Sequence, residues 1–119
     1  MLPKRILIIE DDHDILDMMR YILEDEGYEV IGFSQAESLA EIIRLEPQLI
    51  LLDERLPENP GHILCASIKA HPVTPNIPVI LISAVMYLES IAANCQADNY
   101  IKKPFDLQDL TSLVNSYLQ

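Results

Sequence analysis

The segment that most constrains the fold is a run of four aliphatic residues, 49–52, that leads directly into Asp53, with Pro57 four residues later. A short apolar run bounded by turn-forming residues is typical of a β-strand buried on both faces, as strands are in parallel sheets. Ligands of open α/β sheets bind outside the carboxyl ends of the strands. The sequence therefore predicts that Asp53 lies at the functional edge of a parallel sheet.

The same pattern recurs along the chain, so that strands are predicted over residues 5–9, 28–33, 49–53, 79–82 and 99–102. Between them, apolar residues recur at the spacing of amphipathic helices. Five strands that alternate with five helices indicate an α/β fold, (βα)₅, with a parallel sheet. The carboxyl ends of four of these strands carry, in chain order, Glu10 and Asp11, Asp53, Ser83 and Lys103.

Local signals predict where the first two helices begin and end. Asp12 or His13 opens the first helix, and Gly27 ends it as a glycine just past a helix commonly does. Ser34 is predicted to cap the second helix, because Glu37 follows three residues later in the pattern of a capping box.

The composition limits the kinds of partner that the chain can have. Its 119 residues include 19 acidic and 8 basic ones, and the net charge of −11 disfavours direct binding to nucleic acid or to an anionic membrane. No apolar run approaches the roughly 20 residues of a membrane-spanning helix, and the start shows no signal-peptide pattern. Cys65 and Cys95 have no metal-binding spacing and are interpreted as reduced core thiols. We expect one cytoplasmic domain over residues 1–119.

The residues at the strand ends indicate a specific chemistry. Carboxylates that lie close together must share protons or bind a cation, and oxygen ligands without histidine or cysteine favour Mg²⁺ or a similar ion. A metal, a lysine ammonium and a hydroxyl around one aspartate would together neutralise and orient a transferring phosphoryl group. In that arrangement Asp53 is the nucleophile and forms an acyl phosphate.

Each of these residues also has an ordinary structural interpretation. Acidic residues at strand ends commonly cap helices, a lone Ser83 would be a structural hydroxyl, and a lone Lys103 would be solvated. Their joint presence at one edge of one sheet favours a functional site.

Four segments in a fixed order carry a resemblance to a known family. They are Glu10-Asp11-Asp12 after an aliphatic run, Asp53-x-x-Leu-Pro57 with Gly61 beyond it, Ser83-Ala84 after a second aliphatic run, and Lys103-Pro104-Phe105. Across residues 4–118 the chain resembles the receiver domain of two-component response regulators. The resemblance implies a doubly wound, flavodoxin-like sheet with strand order 2-1-3-4-5.

The resemblance also implies a metal site around the phosphoacceptor Asp53. Asp11 would ligate Mg²⁺ (or Mn²⁺) directly, and Glu10 would do so through water. The backbone carbonyl of Arg55 would be the third protein ligand, and Asp53 itself belongs to the metal site. Asp12 resembles the neighbouring family position that is not a ligand.

The remaining implied residues act in charge compensation and switching. Lys103 would pair with Asp53 and then with its phosphate, and its bond to Pro104 would be cis. Ser83 would be the switch hydroxyl that moves onto the phosphoryl oxygen. Tyr100 would report that move at the surface of the fourth helix, fifth strand and fifth helix. Lys102 is expected to face solvent, because neighbouring strand residues point to opposite faces.

The implied partners are a histidine kinase, a phosphotransfer protein or a small phosphodonor on one side, and an effector domain or target protein on the other. The domain would be a signalling phosphoacceptor with self-catalysed chemistry and not an enzyme, with no direct nucleic-acid or membrane binding. Two alternatives stay open. One is a receiver that signals by protein contacts alone. The other is a phosphohydrolase with an aspartyl nucleophile, a class that usually has a second acid where Arg55 stands.

Three features depart from the family pattern. Pro60 stands where an aspartate or serine is usual, so the loop after Asp53 is expected to be stiff. The span from Ser83 to Tyr100 is short, which predicts a short or distorted fourth helix. The fourth and fifth helices contain no lysine or arginine, so the charged-pair dimers of winged-helix regulators are not expected here.

Overall fold

The polypeptide alternates strands with helices along its whole length. In the computed structural model, which describes residues 2–119, the elements are β1 (Arg5–Ile9), α1 (His13–Asp25), β2 (Glu29–Phe33), α2 (Leu39–Leu45), β3 (Leu49–Asp53), α3 (Gly61–Ala70), β4 (Val79–Ser83), α4 (Leu88–Asn94), β5 (Asn99–Lys102) and α5 (Leu107–Leu118). All neighbouring strands are parallel, in the order β2-β1-β3-β4-β5. The (βα)₅ architecture and the strand order are both confirmed.

The sheet separates two apolar cores because successive strand residues point to opposite faces. Every residue of the central strands β3 and β4 is buried, which explains why their sequences read as continuous apolar runs. One core joins alternate strand residues to α1 and α5, and the other joins the remaining strand residues to α2, α3 and α4.

The ends of α1 lie where the sequence predicts them. Asp12 is the N-cap, and its side chain accepts hydrogen bonds from the backbone N–H groups of Asp14 and Ile15. Gly27 follows the helix with φ 98°, a left-handed conformation that glycine adopts without steric cost. Both predictions are confirmed.

The predicted start of α2 is wrong by one helical turn. Ser38 is the N-cap and accepts a hydrogen bond from the N–H of Glu41 at 3.1 Å, so Ser34 and Glu37 lie before the helix. The chain contains two serines with a glutamate three residues later, and local sequence does not distinguish them. Ile42 is buried in the core formed with α2, α3 and α4, and this packing selects Ser38 as the cap.

Helix α4 has only seven residues, as its short sequence span predicts. A left-handed residue lies on each side of it: Tyr87, the N-cap, with φ 61°, and Gln96, one residue beyond the C-cap, with φ 64°. Gln96 thus adopts the conformation that glycine usually supplies after a helix. None of the helices within residues 2–119 has the length and apolar character needed to cross a bilayer.

Candidate functional site

The predicted site residues meet at the carboxyl edge of the sheet. Ile9 of β1 is paired with Leu52 of β3, so the next residues on the two strands, Glu10 and Asp53, are side by side. Asp11 follows Glu10 into the loop before α1. The structure thus brings together the three carboxylates that the sequence predicts as neighbours.

The three carboxylates form a close cluster. Glu10, Asp11 and Asp53 each offer an oxygen, and these oxygens lie within 4.8 Å of one another. Glu10 and Asp53 are only 1% and 3% exposed, whereas Asp11 faces solvent. The cluster therefore has a buried floor and one side that is open to solvent.

Lys103 brings a positive charge between two of the carboxylates. Its Nζ lies 2.7 Å from Glu10 Oε1 and 3.4 Å from Asp53 Oδ2. The bond from Lys103 to Pro104 is cis, as predicted. Neighbouring Lys102 is exposed, which agrees with the prediction that only Lys103 belongs to the site.

The crowding of charge changes the proton affinity of the site. Burial, followed by the contact with Asp53, raises the pKa of Glu10 to about 7. Burial by itself lowers the pKa of Lys103, but the Glu10 and Asp53 carboxylates outweigh burial, so that its pKa is raised. Lys103 therefore stays charged at neutral pH, whereas Glu10 exchanges a proton near it.

The cluster fits a hard divalent cation. Glu10 Oε1 has the Lys103 ammonium as its neighbour, with Nζ 2.7 Å away. The other oxygen, Oε2, accepts from the N–H of Asp12 at 3.2 Å. Three clustered carboxylates that share one lysine, with no histidine or cysteine among them, match the ligand preference of Mg²⁺.

Asp53 is oriented by the loop that follows it. Its Oδ1 accepts a hydrogen bond from the N–H of Arg55 at 3.1 Å, while Oδ2 faces Lys103. A Cβ at Gly61 would lie 2.2 Å from the Asp53 carbonyl oxygen, so only glycine allows α3 to approach β3 this closely. The loop thus returns to the strand end from which it starts.

Ser83 lies one strand away from Asp53. Asp53 pairs with Ile82 on β4, so Ser83 is one residue further towards the edge. Ser83 is buried, its Oγ accepts from the N–H of Val85 at 3.4 Å, and its carbonyl accepts from the N–H of Lys103 at 2.9 Å. The serine hydroxyl and the lysine are therefore held by adjacent strands.

Tyr100 lies on the edge strand β5, away from the carboxylates. It is half-buried and packs against the core formed with α2, α3 and α4. Its backbone pairs with Leu81 of β4, two residues before Ser83. The structure thus connects Tyr100 to the site through β4 and not by direct contact with Asp53.

Sequence reasoning missed two residues beside the site, Glu54 and His62. Glu54 is 7% exposed, and its carboxylate contacts both the backbone and the side chain of His62. The available signal was a second acid at the end of an otherwise apolar strand, with a histidine eight residues later. The contact itself depends on how the intervening loop closes.

Comparison with known sequences identifies chains that share this arrangement. The family model for the response regulator receiver domain matches residues 6–115. The chain is 33% identical over 120 residues to the DNA-binding dual master transcriptional regulator RpaA of Synechocystis, covering 97% of this chain and 49% of RpaA. It is 34% identical over 126 residues to the phosphate regulon transcriptional regulatory protein PhoB of Rhizobium meliloti, covering 100% of this chain and 53% of PhoB. The chain therefore spans about half the length of these curated relatives.

A solved structure shows the same similarity in three dimensions. A response regulator receiver domain protein, described as CheY-like, from Methanospirillum hungatei has a TM-score of 0.85 and 38% sequence identity to this chain. The alignment covers 98% of this chain and 94% of that one.

Proposed function

The chain belongs to the response regulator receiver domain family, whose members are signalling phosphoacceptor domains of two-component systems, and from this premise we propose that Asp53 is its phosphoacceptor. One observation carries the proposal: a buried aspartate at a strand end is flanked by two further carboxylates and by the ammonium of Lys103. Carboxylates alone would repel an incoming phosphate, so the lysine and a metal are both needed.

The family uses Mg²⁺ in its acidic pocket, and the cluster fits that ion. We propose that Asp11, Asp53 and the carbonyl of Arg55 hold the metal, with Glu10 acting through water. The bound ion would neutralise phosphoryl charge that the carboxylates would otherwise oppose. The chain's own contribution is to orient Asp53, through the N–H of Arg55 on one oxygen and Lys103 near the other.

The phosphoryl step forms a bond between an Asp53 carboxylate oxygen and phosphorus. The bond between phosphorus and the donor breaks, and the donor leaves with the electron pair. Lys103 lies 3.4 Å from Oδ2, where it would follow the charge from the carboxylate to the new phosphoryl oxygens. Ser83 would donate its hydroxyl hydrogen to one of these oxygens. Tyr100 would then change rotamer in response to the move of Ser83, to which it is connected through β4.

The proposed phosphodonor is a histidine kinase, a phosphotransfer protein or a small acyl phosphate. An apolar groove of about 310 Å³ beside Lys103 gives a donor protein a surface to contact, and it is lined by Ile15, Met18, Ala84, Lys103, Pro104 and Phe105. Residues 1–119 are proposed to form one receiver domain in the cytoplasm, where the two free, buried cysteines would stay reduced.

The output is proposed to pass from the α4–β5–α5 surface to an effector domain or target protein. Relatives such as RpaA are DNA-binding regulators about twice as long as this chain, so any DNA contact would belong to a further domain. A phosphohydrolase is not supported, because its second acid is replaced by Arg55, whose side chain is exposed.

Phosphorylation with acetyl phosphate and Mg²⁺ tests the proposal. We expect the wild-type protein to gain one phosphoryl group by intact mass spectrometry, with acetate as the leaving group. Asp53→Asn should gain none. The matched control is Asp12→Asn, which removes a neighbouring carboxylate but keeps a good helix cap and should still be phosphorylated. Equal labelling of wild type and Asp53→Asn, or none in either, would refute the assignment.

A further inference from the structure

Glu54 is a buried acid that the proposed phosphoryl chemistry does not use. Its Oε1 accepts a hydrogen bond from the backbone N–H of His62 at 2.7 Å, and its Oε2 lies 2.6 Å from His62 Nδ1. Because an ionised carboxylate only accepts hydrogen bonds, Nδ1 carries the hydrogen in this pair. Both oxygens of Glu54 are thus committed to one residue at the start of α3.

This contact replaces the usual cap of α3. The N-cap position is Pro60, which makes no side-chain hydrogen bond to the helix. The first free N–H groups of the helix are instead satisfied by Glu54, because Gly61 donates to its carbonyl at 2.8 Å and His62 donates to its carboxylate. The departure from the family pattern at Pro60 is therefore compensated from the other end of the loop.

The same contacts determine the position of the loop beside Asp53. Three hydrogen-bond contacts join Glu54 to Gly61 and His62, and the next residue, Arg55, donates its N–H to Asp53. The residues beyond, 57–60, are exposed, so they contribute little packing that would hold the loop. The backbone at Arg55 is thus held between Asp53 on one side and the Glu54–His62 contact on the other.

We propose that Glu54 and His62 are a positioning pair, which holds the Arg55 carbonyl in the geometry that Mg²⁺ binding at Asp53 requires. The pair touches neither the metal ligands' oxygens nor the phosphoryl group. It acts through the backbone of the loop, as residues around a metal site commonly act through the ligands that they orient. This inference rests on the proposed function, because it takes Arg55 as a metal ligand.

Replacing Glu54 with leucine tests the pair. Glu54→Leu replaces the carboxylate with an apolar side chain of similar size and leaves the N–H and Nδ1 of His62 without acceptors. We expect the Mg²⁺ affinity, measured by calorimetric titration, to fall about 10-fold, as is typical when a residue that orients a metal ligand is lost. In metal-free protein, the amides of Gly61 and His62 should exchange hydrogen faster than in wild type.

A matched control separates positioning from general loss of stability. Lys69 lies near the other end of α3 and donates to two loop carbonyls and to Asp98. Lys69→Met should lower the stability of the fold without changing Mg²⁺ affinity or the exchange of the Gly61 and His62 amides. Titrations are run at a temperature where all variants are folded.

A conservative variant provides the rescue. Glu54→Gln keeps an oxygen that accepts from the His62 N–H, and its amide nitrogen donates to Nδ1 in the other imidazole tautomer. We expect affinity and amide exchange close to wild type. The inference is overturned if Glu54→Leu binds Mg²⁺ as wild type does, or if Lys69→Met weakens binding equally. If wild type itself binds no Mg²⁺, the proposed function fails, whereas unchanged amide exchange in Glu54→Leu would refute the pair alone.

Discussion

Two lysines in this molecule contact carboxylates at opposite edges of the sheet, and they differ in the number of carboxylates around the ammonium. At the amino edge, the Lys69 ammonium donates to the carbonyls of Pro75 and Ile77 and to Asp98 Oδ2. The same Asp98 oxygen also accepts from the N–H of Val79. All three lysine donors are used, so the Lys69 ammonium has none left for a ligand.

At the carboxyl edge, Lys103 contacts both Glu10 and Asp53, so two buried carboxylates share one ammonium. A third carboxylate, Asp11, lies nearby. Carboxylates held this close must share protons or bind a cation. The comparison teaches that a lysine with a single carboxylate partner joins loops and strands, whereas a lysine outnumbered by carboxylates marks a place for a cation and a reacting group.

The largest expected difference is in the rate of phosphorylation. Lys103→Met should slow the reaction with acetyl phosphate roughly 100-fold or more, because one preorganised charge on the transferring group is lost. Lys69→Met should leave the rate unchanged when both are measured by mass spectrometry at saturating Mg²⁺. Equal rates in the two variants would erase the proposed distinction between the networks.

The second expected difference is in the free energy of unfolding. Lys69→Met should lower it by about 2 kcal/mol in urea titrations, because the variant leaves two part-buried carbonyls and the partly exposed Asp98 carboxylate without their donor. Asp53→Asn, at the other edge, should not destabilise the metal-free protein, since it relieves repulsion with Glu10. A Lys69→Met protein as stable as wild type would show that the amino-edge network is not structural.

The third expected difference is in the response to pH. The folded-state pKa of Glu10 is about 7, above its ordinary value of 4.5, so unfolding releases a proton between these values. In metal-free protein this contribution to stability is fully present below about pH 4.5 and is lost as pH rises through 7, on the order of 3 kcal/mol in total. Glu10→Gln should abolish that loss, as compared by urea titration at pH 5 and pH 8. The same pH slope in both proteins would contradict the assignment to Glu10.

The smallest expected effect concerns a surface pair that resembles the other two in composition only. Arg5 Nε lies 2.9 Å from Glu29 Oε1, and the two side chains are 35% and 44% exposed to solvent. Glu29→Gln should change the free energy of unfolding by about 0.5 kcal/mol, because exposed pairs are screened by water and salt. A loss as large as that of Lys69→Met would mean that burial does not separate these networks.

The strand ends could be predicted because strand burial and period are local properties. Apolar runs before Glu10, Asp53 and Ser83 predict parallel strands, and parallel strands necessarily end at one edge. The cap of α2 could not be predicted in the same way, because Ser34 and Ser38 carry the same local signal and only the packing of the helix distinguishes them.

By itself, the sequence determined the (βα)₅ fold and the set of residues at the carboxyl edge, because hydrophobic period depends on the spacing of residue types along the chain. Only the tertiary structure decided which polar groups meet: that Lys69 uses all of its donors, that Lys103 lies between Glu10 and Asp53, and that Glu54 reaches His62 across a loop. The physical reason is that hydrogen bonding depends on distances of a few ångströms between residues far apart in sequence, and no local pattern encodes those distances.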